Sequence, residues 1–329
     1  MFEKKYHTAD LAPHSFLVTG GAGFIGSNIV EYLLRHGAGK VRVLDNFATG
    51  KRENVSIFAK YPQYEFMEGD ICDLETCRRA CAGIEYVSHQ AALGSVPRSI
   101  QEPYNTNKVN VGGFVNILTA AKDAGVKMLV YASSSSVYGD EENLPKVESR
   151  IGRQLSPYAV SKYANELYAD VFYRTYGLNI IGLRYFNIFG PRQDPNGPYA
   201  AVIPLFISGL LNNKPVYIDG DGEQTRDFTF VENAVQANIL AMLTTNKEAV
   251  NEVFNVAVGE NFTINELYHH IRSLLGSNLE PQYRAPRKGD VRDSLADISK
   301  AKKLLGYHPE YNFNEGLRLT VDYFRHIYT

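Results

Sequence analysis

The sequence predicts an α/β protein built on a doubly wound parallel sheet, with a smaller α/β lobe formed by the C-terminal part of the chain. From Ser15 onward, short β-branched runs alternate with longer amphipathic runs, which is the pattern of a parallel sheet with helical crossovers. A glycine-rich turn joins the first strand to the first helix. After Arg184 the pattern becomes irregular and rich in Gly, Pro and Asn, which indicates a change of lobe.

Hydrophobic periodicity places each element. We predict strands over residues 15–19, 40–45, 65–68, 85–89, 127–133 and 179–184, and helices over residues 24–35, 74–81, 104–124 and 158–176. Right-handed βαβ connections between them produce the doubly wound order. A helix over 231–243 and a strand over 253–257 indicate that the chain returns to the main sheet. We therefore assign residues 1–190 and 230–258 to the sheet domain, and residues 191–229 and 259–329 to the smaller lobe.

Composition narrows the functional classes. The net charge is −2 and basic residues are dispersed, so no footprint for nucleic acid is expected. The chain has no apolar run long enough to span a membrane and no signal peptide, so we expect a cytosolic protein without a membrane partner. Cys72, Cys77 and Cys81 match no zinc or redox spacing; we expect reduced structural thiols and no metal.

The segment FLVTGGAGFIGSNIVEYLL carries the first chemical signal. Gly20, Gly23 and Gly26 lie between an apolar strand and an amphipathic helix, which is the context of a dinucleotide-binding turn. Glycines let the backbone approach a pyrophosphate, and the helix N-terminus favours its negative charge. Asp45 follows at the end of the second strand, where a carboxylate accepts hydrogen bonds from ribose hydroxyls and repels a 2′-phosphate. NAD is therefore favoured over NADP.

The motifs TGGAGFIG, HQAA, ASSSSVYG and SPYAVSK occur in this order, and with them the chain resembles the extended short-chain dehydrogenase/reductases. Within that family it resembles the NAD-dependent nucleotide-sugar epimerases. The resemblance implies a Rossmann domain for NAD and a nucleotide-sugar-binding lobe. It also implies that the cofactor contacts Gly20, Gly23, Phe24, Ile25, Gly26, Asp45, Asn46, Asp70, Ile71, Gln90, Ala91, Ala92, Tyr158 and Lys162.

Tyr158 and Lys162 are the predicted catalytic pair. Ser156 and Pro157 read as a helix start, so the two residues lie one turn apart on one face. A free phenol has a pKa of about 10, but an adjacent ammonium and a cationic nicotinamide stabilise the phenolate. The pair then serves as a general base. The resemblance implies that Ser134 assists the same hydroxyl.

The serine run favours epimerisation over related reactions. The dehydratases that the chain resembles carry an Asp-Glu pair where Ser135 and Ser136 stand here, and the related decarboxylases usually have Glu at the second position. The resemblance instead implies oxidation at C4 to a transient 4-keto sugar with bound NADH, followed by reduction on the other face. For the nucleotide-sugar it implies contacts from Ser135, Ser136, Asn187, Tyr217, Ile218, Arg226 and Arg292; the two guanidinium groups suit a diphosphate.

The chain resembles the bacterial epimerases that prefer N-acetylated UDP-hexoses, on the strength of GSVPRSI, RQDPNGPYAAVIP and the N-terminal extension before Ser15. Ser294 stands where enzymes for plain UDP-galactose often have Tyr, so it leaves room for a 2-acetamido group. Gln193 is a hydrogen-bond partner for that group, and Ser95 and Val202 complete the expected sugar site. The expected reaction interconverts UDP-N-acetylglucosamine and UDP-N-acetylgalactosamine.

Three alternatives remain open at this stage. The substrate is otherwise UDP-glucose/galactose, or a UDP-N-acetylhexosaminuronate with Arg98 as carboxylate partner. The non-enzyme alternative is an NAD-binding regulatory protein, against which the intact Ser134, Tyr158 and Lys162 argue. Helices 104–124 and 158–176 carry apolar residues beyond one face, so they predict a homodimer through a four-helix contact, as the resemblance also implies.

Overall fold

A computed structural model describes residues 1–196, 200–286 and 292–328. Part of the RQDPNGPYAAVIP run, residues 197–199, lies outside the described residues. The strands are β1 Ser15–Thr19, β2 Lys40–Asp45, β3 Tyr64–Glu68, β4 Tyr86–His89, β5 Met128–Ser134, β6 Ile180–Tyr185, β7 Ile188–Phe189, β8 Tyr217–Asp219, β9 Thr225–Arg226, β10 Thr229–Phe230, β11 Val253–Val256, β12 Phe262–Thr263 and β13 Gln282–Arg284. The α-helices are α1 Phe24–Arg35, α2 Arg52–Ser56, α3 Leu74–Cys81, α4 Val96–Gln101, α5 Pro103–Asn107, α6 Phe114–Asp123, α7 Pro157–Tyr176, α8 Val202–Leu211, α9 Val231–Met242, α10 Ile264–Leu275, α11 Ser299–Leu305 and α12 Phe313–Tyr328.

Seven parallel strands form the main sheet, in the order β11-β6-β5-β4-β1-β2-β3. Side chains alternate between its two faces: Phe16 and Val18 belong to a core shared with α1 and α9, whereas Leu17 belongs to a core with α3 and α6. Helices thus cover both faces, which is why central strands such as β1 and β6 are buried along almost their whole length. The predicted doubly wound fold is confirmed.

The smaller lobe consists of short two-stranded pairs and three longer helices. β8 pairs with β13, β9 pairs with β12, and β7 pairs with β10, while α8, α10 and α12 pack on one another. The predicted return to the main sheet is found in β11, which pairs with β6. The assignment of the lobes by residue range stays a prediction.

The predicted continuous helix over 104–124 is interrupted. Residues Lys108–Gly113 form a π-helical turn between α5 and α6. Asn110 in this turn accepts a hydrogen bond from the backbone N–H of Leu93 and donates one to the backbone oxygen of Leu93. A β-carbon at Gly113 would lie 2.5 Å from Ile71. These tertiary contacts widen the turn, and such turns are common near functional sites.

The cysteines are free thiols. Cys77 and Cys81 lie on the buried face of α3. Burial raises the pKa of each thiol to about 12, so both stay protonated. In the part of the chain that the structure describes, no helix combines the length and apolarity needed to cross a bilayer.

Candidate active site

A cleft of about 770 Å³ opens at the C-terminal ends of the central strands. In a doubly wound sheet, ligands bind at this edge where the strand order reverses. Here the reversal lies between β1 and β4, which are neighbours in the sheet. The cleft therefore has the position that the fold predicts for a cofactor.

The glycine-rich turn forms one wall of this cleft. Gly20, Gly23, Phe24, Ile25 and Gly26 all line it. A β-carbon at Gly26 would lie 2.2 Å from the carbonyl oxygen of Gly20, and one at Gly20 would lie 2.7 Å from the backbone nitrogen of Ala91. Within the described residues no side chain caps the N-terminus of α1, so its first-turn N–H groups remain available to a pyrophosphate. This cradle fits a dinucleotide.

Asp45 lies at the end of β2 and lines the cleft. Its carboxylate accepts hydrogen bonds from the backbone N–H groups of Ala22, at 2.9 Å, and Phe47, at 2.8 Å. Burial raises the pKa of Asp45, and these N–H donors oppose the shift. Both neighbouring cations are paired: Lys51 lies 3.0 Å from Asp194, and Arg52 lies 3.1 Å from Glu68. Because these cations are already neutralised, the site suits ribose hydroxyls better than a 2′-phosphate.

A narrower recess of about 60 Å³ continues from the cleft. Asn46, Asp70 and Ile71 line it together with Ala91 and Ala92. Asp70 accepts a hydrogen bond from the backbone N–H of Cys72, which holds its side chain at the loop after β3. The structure therefore brings the predicted adenine contacts beside Asp45.

Ser134, Tyr158 and Lys162 meet at the other end of the cleft. Ser156 caps α7 by accepting from the N–H of Ala159 at 3.1 Å, so Tyr158 enters the first turn and Lys162 follows one turn later. The ammonium of Lys162 donates to the carbonyl oxygen of Ala132 at 2.8 Å and lies 6.0 Å from the centre of the Tyr158 ring. The structure thus assembles the predicted catalytic trio.

The electrostatics of the trio match proton transfer. Burial lowers the pKa of Lys162 to about 8, so the side chain is mainly protonated at neutral pH. Burial raises the pKa of Tyr158, and a hydrogen bond with the side chain of Ser134 opposes that shift. Burial therefore favours the neutral phenol of Tyr158, and its phenolate requires the positive charge of Lys162 and of a bound cofactor.

A polar network behind the trio joins the predicted cofactor contact Gln90 to Tyr185 and Asn238, which no sequence motif singled out. Tyr185, at the end of β6, donates to Gln90 at 3.1 Å and accepts from Asn238 at 2.7 Å. Gln90 also donates to Ser88 at 3.0 Å. Tyr185 and Gln90 both line the cleft. The position of Tyr185 at the C-terminal end of a parallel strand was the signal that could have identified it.

A second cavity, of about 410 Å³, lies between the main sheet and the smaller lobe. Its lining includes the predicted substrate residues Asn187, Gln193, Val202, Tyr217, Ile218 and Arg226. Asn187 adopts a left-handed backbone with φ of 37° and donates to the carbonyl oxygen of Asp227 at 3.1 Å. Ile218 is buried, whereas 47% of Tyr217 is exposed with the Arg284 guanidinium 5.4 Å from its ring centre. Aromatic, apolar and cationic groups in one cavity suit a nucleoside diphosphate.

A third pocket, of about 200 Å³, lies beside Ser135 and Ser136, which follow the catalytic Ser134 in the chain. Ser294 also lines it, as do Arg226 and Asn187. Lys146 and Asp293, which no sequence pattern singled out, line this pocket too. We call it the substituent pocket, because its position beside Ser135 and Ser136 suits a group attached to the sugar ring.

Three further predicted substrate residues lie outside the second cavity and the substituent pocket. The hydroxyl of Ser95 caps α4 by accepting from the N–H of Arg98. Arg98 itself lines the large cleft. The Arg292 side chain is 71% exposed and lies 3.7 Å from Asp221, although its carbonyl oxygen accepts a hydrogen bond from Arg226. The structure therefore brings the backbone of Arg292, but not its guanidinium, to the site, and a diphosphate contact from that side chain stays a prediction.

Comparison with known proteins identifies the family. Residues 16–257 match the NAD dependent epimerase/dehydratase family. The chain belongs to this family. The predicted NAD dependence and isomerase class are thereby confirmed.

Solved structures of family members superpose closely. UDP-glucose 4-epimerase from Thermotoga maritima, with UDP-glucose, is 41% identical with a TM-score of 0.90, covering 96% of this chain and 100% of that one. UDP-N-acetylglucosamine 4-epimerase from Methanobrevibacter ruminantium, in complex with UDP-N-acetylmuramic acid, is 41% identical with a TM-score of 0.90, covering 95% and 99%. UDP-glucose 4-epimerase from Thermus thermophilus, with NAD, is 38% identical with a TM-score of 0.84, covering 94% and 99%.

The chemistry of an NAD-dependent epimerase can be divided between the site residues. When bound, NAD accepts a hydride from the substrate and returns it. We propose that the cradle of Gly20, Gly23 and Gly26 and the carboxylate of Asp45 would hold and orient the cofactor. In the same proposal, Tyr158 would take and return the proton, Lys162 would stabilise its phenolate, and Ser134 would hold the hydroxyl hydrogen bond.

Proposed function

We propose that this UDP-sugar 4-epimerase interconverts UDP-N-acetylglucosamine and UDP-N-acetylgalactosamine. The observation that carries the proposal is the substituent pocket. It opens beside Ser135 and Ser136, and its wall at position 294 is a serine. A small residue at this wall leaves space for a 2-acetamido group, as the sequence analysis expected.

In the proposed reaction, Tyr158 accepts the proton of the C4 hydroxyl while the C4 hydrogen leaves as a hydride, for which bound NAD would be the acceptor, and a 4-keto sugar remains. The keto sugar then presents its other face, where the hydride would return to C4 while the same tyrosine returns the proton. This requires a tightly held nucleotide and a loosely held hexose. The cavity with Tyr217, Ile218 and Arg226 is separate from the substituent pocket except at Asn187 and Arg226, which supports separate binding of the two parts.

UDP-glucose/galactose is the second candidate substrate. The Thermotoga maritima enzyme solved with UDP-glucose and the Methanobrevibacter ruminantium enzyme for UDP-N-acetylglucosamine have the same identity to this chain, 41%. Overall similarity therefore does not choose between the two sugars, and the proposal depends on the pocket.

A uronic-acid substrate has weaker support. Arg98 lines the large cleft, as its role as carboxylate partner would require, but it does not line the substituent pocket.

We also propose that the enzyme is a homodimer. α4, α5 and α7 pack together and share one outward apolar face. Its exposed side chains are Ile100, Tyr104, Val160, Leu167, Tyr168 and Val171. Tyr104 is 81% exposed, and an apolar patch of this kind is typical of a protein interface. A second copy of the same face would bury this patch, and the four-helix contact through residues 104–124 and 158–176 stays a prediction. A cytosolic location stays a prediction.

The substrate assignment is tested by incubating the purified enzyme with UDP-N-acetylglucosamine, UDP-glucose and the corresponding uronic acids. Products are resolved by NMR, and kcat/KM is measured for each sugar. We expect the highest kcat/KM with UDP-N-acetylglucosamine. A higher value with UDP-glucose would refute the assignment and leave the family chemistry intact.

A further inference from the structure

We propose that Lys146 and Ser136 form a specificity site that binds the carbonyl oxygen of a 2-acetamido group. The inference rests on the proposed function, because it assigns protein partners to the substituent that distinguishes the proposed sugar. It concerns two side chains that line the substituent pocket and have no part in the proton transfer described above.

Lys146 is an unusual residue for this place. Only 4% of it is exposed, and burial lowers the pKa of its ammonium. The ammonium donates to the backbone carbonyl of Glu141. Within the described residues it makes no close ion pair with a carboxylate, although the charges of Glu141, Glu142 and Asp293 act on it favourably and that of Arg150 acts unfavourably. A buried ammonium has three hydrogens to donate, so it gains from a further acceptor in the pocket.

Ser136 supplies an independent observation. In the described part of the chain, its buried hydroxyl has no hydrogen-bond partner. Its backbone N–H donates to the Ser134 hydroxyl at 3.2 Å, which fixes the residue beside the catalytic trio. Buried hydroxyls nearly always have a partner. A ligand atom in the pocket is the missing partner that this geometry favours.

The backbone of Lys146 is fixed to the opposite wall of the pocket. Its N–H donates to the carbonyl oxygen of Leu295 at 2.7 Å, and its own oxygen accepts from Asp297 at 2.9 Å and from Asn255 at 2.9 Å. These bonds hold Lys146 against the segment that begins with Ser294. The open space at Ser294 and the cation of Lys146 therefore belong to one rigid wall.

The charges around the pocket select the class of substituent. Lys146 and Ser136 offer donors, whereas the carboxylate of Asp293, which accepts from Thr225 at 2.9 Å, offers an acceptor. A neutral secondary amide presents both a carbonyl oxygen and an N–H. A plain hydroxyl offers a single short group and reaches less far into a pocket of about 200 Å³. An acetamido group can therefore use both the donors and the acceptor of the pocket.

The test measures binding rather than turnover. In a Tyr158→Phe background with NAD bound, dissociation constants for UDP-N-acetylglucosamine and UDP-glucose are measured by calorimetry, with and without Lys146→Met. We expect the substitution to weaken UDP-N-acetylglucosamine by about 10-fold or more, the scale of losing a hydrogen bond to a charged group. UDP-glucose should change less than about 3-fold, within the scale of a neutral contact.

Lys300→Met is the matched control. Lys300 is a partly buried lysine whose ammonium donates to the carbonyl oxygen of Val253 at 2.9 Å, and it does not line the substituent pocket. It should change neither dissociation constant. If thermal unfolding shows that Lys146→Met does not fold, Ser136→Ala is measured in its place. We then expect the affinity for UDP-N-acetylglucosamine, but not that for UDP-glucose, to fall by about 3-fold or more.

An equal loss for the two sugars, or no loss for either, overturns the role of Lys146 and Ser136. Failure of the proposed function is a different result. A wrong substrate assignment would appear as a higher kcat/KM of the wild-type enzyme for UDP-glucose than for UDP-N-acetylglucosamine. The role of Lys146 and Ser136 is instead tested by how much each substitution changes the dissociation constant of each sugar.

Discussion

Replacing Ser294 with tyrosine should change the preferred substrate from UDP-N-acetylglucosamine to UDP-glucose, because the larger side chain occupies part of the substituent pocket. The substituent pocket measures about 200 Å³, and Ser294 stands on its wall. A tyrosine there would bring a phenol group of seven heavy atoms into the space proposed for the four heavy atoms of the acetamido group. Because tyrosine would fill the space at the wall, UDP-N-acetylglucosamine should be excluded while UDP-glucose still binds.

Steric changes of this size in a binding pocket alter discrimination by about 1–3 kcal/mol, or roughly 10- to 200-fold in kcat/KM. The assay is kcat/KM for UDP-N-acetylglucosamine and UDP-glucose in the wild type and in Ser294→Tyr. Ser294→Ala is the control, since it removes the hydroxyl without filling the pocket, and it should keep the wild-type preference. An equal fall for both sugars in Ser294→Tyr would refute the reasoning, because a general distortion does not distinguish them.

Three further outcomes follow from the site and the surface. Tyr158→Phe should lower kcat by at least about 100-fold, the scale of general-base catalysis. The amount of NAD released when the protein is denatured should be unchanged. Near-normal turnover would contradict the role of the phenol. Because burial lowers the pKa of Lys162 to about 8, its ammonium is present below that pH and is lost above it, so kcat/KM should decline above about pH 8; a pH profile that stays flat to pH 10 would argue against this. Leu167→Glu places a charge in the exposed apolar face of α7 and should yield a monomer in light scattering, where a wild-type monomer would speak against the proposed interface.

The sequence predicted those parts of the molecule that local pattern determines. The six strands of the first half, the glycine cradle and the spacing of Tyr158 and Lys162 all depend on residues close together in the chain, and periodicity or capping encodes them. Their meeting in one cleft followed from the rule that ligands bind at the C-terminal edge of a parallel sheet.

What the sequence did not predict depends on distant partners. The π-helical turn at Lys108–Gly113 results from contacts with Leu93 and Ile71, which no helical periodicity encodes. Lys146 and Asp293 are far apart in the chain and stand in irregular segments, where a charged residue is normally solvated. Only the fold brings them into one pocket.

The position of β11 has a consequence for any attempt to divide the protein. Every residue of β6 is buried, and one edge of this strand is covered by β11, which arrives only after the chain has passed through β7–β10. A fragment that ends near residue 190 would present the N–H and C=O groups of that edge to solvent, a template for intermolecular strand pairing. Such a fragment should aggregate on expression. The cofactor-binding half is therefore not an autonomous folding unit, and exchanging lobes between relatives would require carrying residues 231–256 along with the first half.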